Sequence, residues 1–253
     1  MTCGHTLGAS ELIPVLSYVF QKGKCKHCQT HVSMQYPLVE LLTAFLFAGN
    51  FLLTYSLTQS ILDFSILYVL SSAILALLVA IFVYDIKHHI IPDQFSFPLA
   101  SLSVLYLVGT ILFLGKNPYW IPDITQIKSS GVTFTDPLAL LNISAGIILY
   151  LCIYTLWKVS KGRWIGLGDA KLLFGLGTIL GFVYGLSAFF LSFWIGTIYV
   201  VVVILLQRLS RNSKYITMKS EIAFGPFIIV GFLIVYFFKI DVTNLGFIFQ
   251  NFL

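Results

Sequence analysis

The chain has 253 residues, of which 58% are hydrophobic and only 10% charged, and its mean hydropathy is +0.93. No water-soluble core absorbs that much apolar sequence, so a soluble globular fold is excluded and a polytopic membrane protein is indicated. Lipid cannot satisfy open sheet edges, which makes the expected fold all-α; the net charge of +5 is better explained by membrane orientation than by nucleic acid, and no nucleic-acid partner is expected.

Residues 1–37 are polar, dotted with lysine, and hold three of the four cysteines. They read as a small extramembrane cysteine-containing module rather than a cleavable signal, followed by a membrane domain over 38–253. Apolar segments fall at about 38–57, 63–84, 95–115, 137–158, 170–183, 185–207 and 222–240, which predicts about seven transmembrane helices. The fifth is short and interrupted by Gly175, Gly177 and Gly181, so it is expected to pack closely on its neighbours, tilted or partly re-entrant. The stretch of about 116–136, with Pro118, Pro122, Gly131 and Pro137, reads as an irregular connector without a catalytic role. Cys152 lies among Tyr150, Leu151 and Ile153 and behaves as a small apolar residue.

Lysine and arginine placement sets the orientation. With residues 1–37 inside, Lys22, Lys24, Lys26, Lys87, Lys158, Lys161, Arg163, Lys171, Arg208, Arg211, Lys214 and Lys219 are cytoplasmic, and only Lys116, Lys128 and Lys239 are outside. Asp85 and Asp169 then share the cytoplasmic face.

Most acids sit where hydration is cheap: Glu11, Asp63, Asp123, Asp136 and Asp241 in loops or at helix ends, Glu40 and Glu221 at cytoplasmic helix ends. Asp85 follows Ile81-Phe82-Val83-Tyr84, Asp93 follows Pro92 as the expected cap of the third helix, and Asp169 follows Gly166-Leu167-Gly168. A carboxylate at a membrane boundary is costly to desolvate and is usually kept for use. Two brought close cannot both ionise easily; one can then activate water while the other donates a proton, with no serine, histidine or cysteine nucleophile. Gly166 and Gly168 are expected to support Asp169 by allowing close substrate approach and a turn other residues resist. The structural alternative is that these aspartates cap helices or pair with Lys87 or Lys171.

At these residues the chain resembles the type IV prepilin peptidases, membrane aspartyl proteases with an acid in Gly-x-Gly-Asp. Tyr84-Asp85-Ile86-Lys87-His88-His89-Ile90-Ile91-Pro92-Asp93 is similar to the family's segment of Asp, polar residues, Ile-Pro and Asp or Asn. Glu11-Leu12-Ile13-Pro14, Gly23-Lys24-Cys25-Lys26-His27-Cys28, Tyr36-Pro37-Leu38-Val39-Glu40 and Phe224-Gly225-Pro226-Phe227 match in family order, from Cys3 to about Pro226. The resemblance implies that Asp85 and Asp169 are catalytic, with Asp93 supporting, and that the partners are prepilins or pseudopilins in the lipid of the bacterial inner membrane. It implies cleavage of a basic leader after a glycine on the cytoplasmic side. It also implies methylation of the new N-terminus by S-adenosylmethionine, whereas proteolysis itself needs no cofactor.

The family's two Cys-x-x-Cys pairs suit tetrahedral zinc. Here Cys25 and Cys28 form one pair and Cys3 stands alone from the other, so Cys3, Cys25 and Cys28 are the candidate zinc ligands, with His5, His27 or His31 as a fourth; reduced thiols are the alternative. The family's preceding helix is also not found, and the expectation is that a late start of the chain would account for both departures. Competing readings are a presenilin-like protease, which would carry Pro-Ala-Leu where this chain has Phe224-Gly225-Pro226-Phe227, an ion-coupled transporter using Asp85 and Asp169, and an inert membrane anchor with a docking module.

Overall fold

The computed structural model describes residues 4–6, 8, 11–114, 137–209 and 223–245. The helices are α1 (Leu16–Phe20), α2 (Gln35–Leu57), α3 (Ile61–His88), α4 (Asp93–Leu114), α5 (Pro137–Ile143), α6 (Ala145–Ser160), α7 (Leu167–Leu209) and α8 (Gly225–Phe238). Among the described residues there is no strand, only an isolated bridge between Lys24 and His31. The all-α expectation holds. The expected connector at 116–136 and the basic stretch from Arg211 to Lys219, with Glu221, lie outside the described residues, as does the side chain of Arg208.

The chain divides into two compact units, Met1–Leu52 and Leu53–Leu253. This boundary falls inside α2, beyond the sequence division after residue 37. In the first unit, Glu40 Oε2 accepts the Val15 N–H at 2.7 Å, tying the segment before α1 to the first turns of α2.

The second unit is a helical bundle. Helices α2, α3, α4 and α7 are long and apolar enough to cross a membrane, and α6 and α8 are shorter apolar helices. This is a multi-pass membrane protein. Large apolar side chains such as Leu112, Trp194 and Ile198 are exposed, as expected where lipid is the solvent. Hydroxyls inside the bundle bond to their own helix: Ser71 donates to Leu67 O, Ser103 to Leu99 O, both at 2.8 Å, and Thr178 to Phe174 O at 2.7 Å. In an apolar interior a polar group needs such a partner to offset its desolvation.

Helix α7 is two helices in sequence. Gly181 has φ 75° and ψ −175°, a region open essentially to glycine alone. Residues 177 and 185 would stand about 12 Å apart along a continuous helix, yet a Cβ built on Gly185 lies 3.4 Å from Gly177 Cα. The chain therefore folds back on itself at Gly181. The turn falls there rather than in the expected gap after residue 183. The backbone N–H released by the break is that of Phe182, and it donates to Asn142 Oδ1 of α5 at 3.0 Å. The first limb, 167–180, is about 21 Å long, shorter than the ~30 Å apolar core of a bilayer. It packs by close backbone approach, with Gly146 of α6 against Thr178 and Gly175 against Leu99 and Ser103 of α4.

The second limb runs antiparallel to α8: Gly196 faces Phe227, while Gly231 faces Ala188 and Ser192. Consequently the C-terminal end of α3 and the N-terminal ends of α4, α7 and α8 gather at one end of the bundle. Both central aspartates are there.

Candidate active site

Asp85 lies further inside its helix than the hydropathy pattern places it. Helix α3 continues to His88, and His89, in the left-handed region at φ 55°, closes it by donating its N–H to Asp85 O at 2.8 Å. Asp85 therefore has its backbone fixed in the last turn, and it is only 3% exposed. Its Oδ2 is buried without a hydrogen-bond partner of ordinary geometry. A buried, unsatisfied carboxyl oxygen is expensive.

Asp169 is held differently. Helix α7 begins at Leu167, so Gly166 is its N-cap and Asp169 its third residue. The Gly166 N–H donates to Asp169 Oδ2 at 3.1 Å, the half of a capping box in which the third residue reaches back to the cap. The structural alternative considered for this acid, helix capping, is thus what the geometry shows for one of its oxygens. Asp169 is buried, only 7% exposed, and its neighbour Gly168 shares a packing partner, Ile91, with Gly225, which abuts Asp85. Capping orients the carboxyl; it does not remove it from the site.

Gly168 matters here for its size, not for its backbone freedom. Positive φ values near this point belong to Lys161 and Gly162, which turn the chain between α6 and α7; Gly166 and Gly168 do not adopt such angles. A Cβ on Gly168 would come within 2.9 Å of Ile91 Cβ. Across the site, a Cβ on Gly225, the first residue of α8, would lie 3.1 Å from Ile91 Cδ1 and would strike Asp85 Oδ2. Ile91 in the α3–α4 loop is thus seated between two bare backbones beside the acids. Neither Ile91 nor Gly225 is chosen by a search for titratable groups, although the Phe-Gly-Pro at a helix start was a visible signal for the second.

Asp93 is the first residue of α4, not the residue capping it, and its Oδ1 accepts a hydrogen bond from Lys171 Nζ of α7. The Asp93 side chain is 60% exposed. Lys171 also lies over the Phe97 ring, 5.7 Å from its centroid. The pair fastens the start of α4 to the first turn of α7, with Ile91 in the loop just before it. Tyr84 packs on His88 and Phe95, with ring centroids 4.4 and 6.0 Å away. The structure brings together Asp85, Asp169, Gly166, Gly168 and, at the edge, Asp93.

The cysteine module belongs to the first unit. Cys25 and Cys28 stand in a hairpin closed by Cys25 N–H to Thr30 O at 2.9 Å and Gln29 N–H to Cys25 O at 3.0 Å, with Gln29 at φ 59°. Cys28 Sγ lies 3.1 Å from Thr30 Oγ1. Cys3, the third candidate ligand, lies outside the described residues. Among the described residues no three His, Cys, Asp or Glu side chains converge as metal ligands; Cys25 and Cys28 are the two candidate ligands that the described residues include. His27 stacks on His5 with centroids 3.6 Å apart and has its Nε2 3.3 Å from Glu11 Oε1. The Gly8 N–H donated to Glu11 holds that carboxyl below its ordinary pKa. Cys152 is exposed on the apolar surface of α6.

Residues 1–54 match the Bacterial Peptidase A24 N-terminal domain and residues 72–201 the Type IV leader peptidase family. A protein of Aeromonas salmonicida named prepilin leader peptidase/N-methyltransferase is 31% identical over 232 residues, covering 90% of this chain and 67% of its own. One of the same name from Bacillus subtilis is 30% identical, covering 93% of this chain and 79% of its own. Another, from Burkholderia pseudomallei, is 33% identical over 71% of this chain and 49% of its own. No solved structure matches. With one profile spanning just over half of the chain and relatives aligned along nearly all of it, the chain belongs to the type IV leader peptidase family and is an enzyme of that family.

Proposed function

We propose that the chain is a membrane aspartyl endopeptidase that removes the basic leader of type IV prepilins or pseudopilins at the cytoplasmic face of the bacterial inner membrane. The observation that carries this reading is the pair of buried carboxyl groups, Asp85 at the end of α3 and Asp169 at the start of α7, with Ile91 packed both on Gly168 and beside Gly225, which abuts Asp85. The site lies at the end of the bundle that also carries Lys87, Lys158, Lys161, Arg163 and Lys171, which supports a cytoplasmic orientation. A substrate with a charged leader in water and an apolar stem in lipid has its junction at that boundary.

In the proposed reaction one carboxylate takes a proton from water as the water oxygen bonds to the scissile carbonyl carbon. The other, protonated, gives its proton to the carbonyl oxygen. As the tetrahedral intermediate collapses, the C–N bond breaks, the leaving amine takes a proton from the acid that received one from water, and one hydroxyl of the gem-diol returns its proton to the other carboxylate as the new carboxyl group forms. The capping hydrogen bond from Gly166 holds Asp169 in place throughout, and burial excludes all but the reacting water.

Methyl transfer from S-adenosylmethionine to the new N-terminus, an activity named in the relatives, and zinc on Cys25, Cys28 and Cys3 belong to the same proposal. Neither takes part in the proteolytic steps. The test is incubation of the detergent-solubilised protein with a prepilin peptide carrying leader and stem, followed by product mass with and without S-adenosylmethionine. The reading predicts loss of the leader in both and an added methyl group only with the cofactor. An uncut peptide contradicts it.

A further inference from the structure

The walls around the two acids are unequal. Two of them are backbone: Gly168 at the start of α7 and Gly225 at the start of α8. The third is a side chain, Ile91, whose Cβ stands 2.9 Å from where a Cβ on Gly168 would be and whose Cδ1 stands 3.1 Å from where one on Gly225 would be. The Gly225 position also abuts Asp85 Oδ2, the oxygen left without a partner. The gap between the two glycine backbones beside this carboxyl is therefore filled by isoleucine.

A carbonyl attacked between the acids brings its own Cα along, about 1.5 Å from the reacting carbon. Any side chain on that Cα is pressed on the same three walls. Gly168 and Gly225 have nothing left to give up. Of these three, Ile91 is the one that presents side-chain atoms that could make room, and it stands in the non-helical link between His89 and Asp93, held at one end by the α3 cap and at the other by the Asp93–Lys171 pair.

We propose that Ile91 is a specificity-determining residue that confines the scissile position of the substrate to a residue without a side chain. This rests on the proteolytic reading above and goes beyond it by assigning the limit to one side chain. The predicted hierarchy follows from atoms: Ile91→Val removes Cδ1, the atom facing Gly225, and Ile91→Ala removes the remaining branch while leaving the Cβ that faces Gly168. The opening is larger on the Gly225 side, because Cβ, the Ile91 atom nearest Gly168, remains in both variants. Cδ1 and Cγ1, 3.5 and 3.4 Å from where a Cβ on Gly168 would be, are removed from Ile91→Val onward and only in Ile91→Ala, respectively.

The experiment uses the full chain in detergent and two prepilin peptides that differ only in having glycine or alanine as the residue supplying the scissile carbonyl. The readout is the ratio of kcat/KM values, alanine peptide over glycine peptide. One methyl group in a tight apolar pocket is worth about tenfold or more, so Ile91→Ala raises the ratio by about that factor over wild type and Ile91→Val raises it less. A ratio unchanged in Ile91→Ala, with the glycine peptide still cut, overturns the proposal. If Ile91→Ala is inactive on both peptides, Ile91→Val decides: a raised ratio supports the assignment and an unchanged one overturns it. Failure of the wild type to cut the glycine peptide would instead sink the proteolytic reading.

Discussion

Replacing Gly225 by alanine tests whether the start of α8 is part of the catalytic geometry. The added methyl meets two groups, Ile91 Cδ1 at 3.1 Å and, closer, Asp85 Oδ2. Gly225 precedes Pro226 at the head of α8, whose ring restricts the backbone, and Phe224 behind it is packed on Phe193 with ring centroids 4.8 Å apart. The helix end has little freedom to retreat. The carboxyl of Asp85 must move, by on the order of 1 Å, and a misplacement of that size costs about a hundredfold in rate. The stability cost of one overpacked methyl is about 1–3 kcal/mol, small enough to leave a folded protein. We expect kcat for prepilin cleavage to fall about a hundredfold, with thermal unfolding in detergent still cooperative. Activity within about threefold of wild type would show that Asp85 does not occupy its described position during the reaction.

Two further outcomes follow from individual contacts. The Asp93–Lys171 pair is largely solvated, with side-chain exposures of 60% and 24%, and such pairs contribute about 1 kcal/mol or less; Asp93→Asn and Lys171→Met should each keep more than about a tenth of wild-type kcat/KM, and a loss as deep as that of Asp85→Asn would make Asp93 a reacting group. Asn142→Leu removes the acceptor for the Phe182 N–H at the α7 turn, leaving a donor unpaired at a cost of about 1–3 kcal/mol, so its unfolding temperature should drop; equal stability of Asn142→Leu would mean the turn does not need this cap.

The helices were legible because lipid demands long apolar runs, and their order matches the expected segments closely. What hydropathy could not place was the point where α7 turns back. That depends on one glycine's backbone angle and on Asn142, thirty-nine residues earlier in the sequence than Gly181. The acid pair was legible from its cost in an apolar setting. Its neighbours were less so: Asp93 reads as a cap because it follows Pro92, yet a lysine from another helix takes its carboxylate, and Asp169 turned out to carry the capping hydrogen bond. Gly166 and Gly168 read as flexible, whereas Gly168 is needed because Ile91 leaves no room for a side chain. Close approach between distant segments leaves no periodicity to read. Ile91 itself looks like any apolar loop residue until Gly168 and Gly225 are seen on either side of it.

The most direct test of the account is cleavage of one prepilin peptide by wild type, Asp85→Asn and Asp169→Asn, each purified in detergent. Asparagine keeps the shape, and at position 169 it keeps an oxygen to accept the Gly166 N–H, so both variants should fold and unfold like wild type. The account predicts that neither variant releases the leader. Robust cleavage by either one would contradict it.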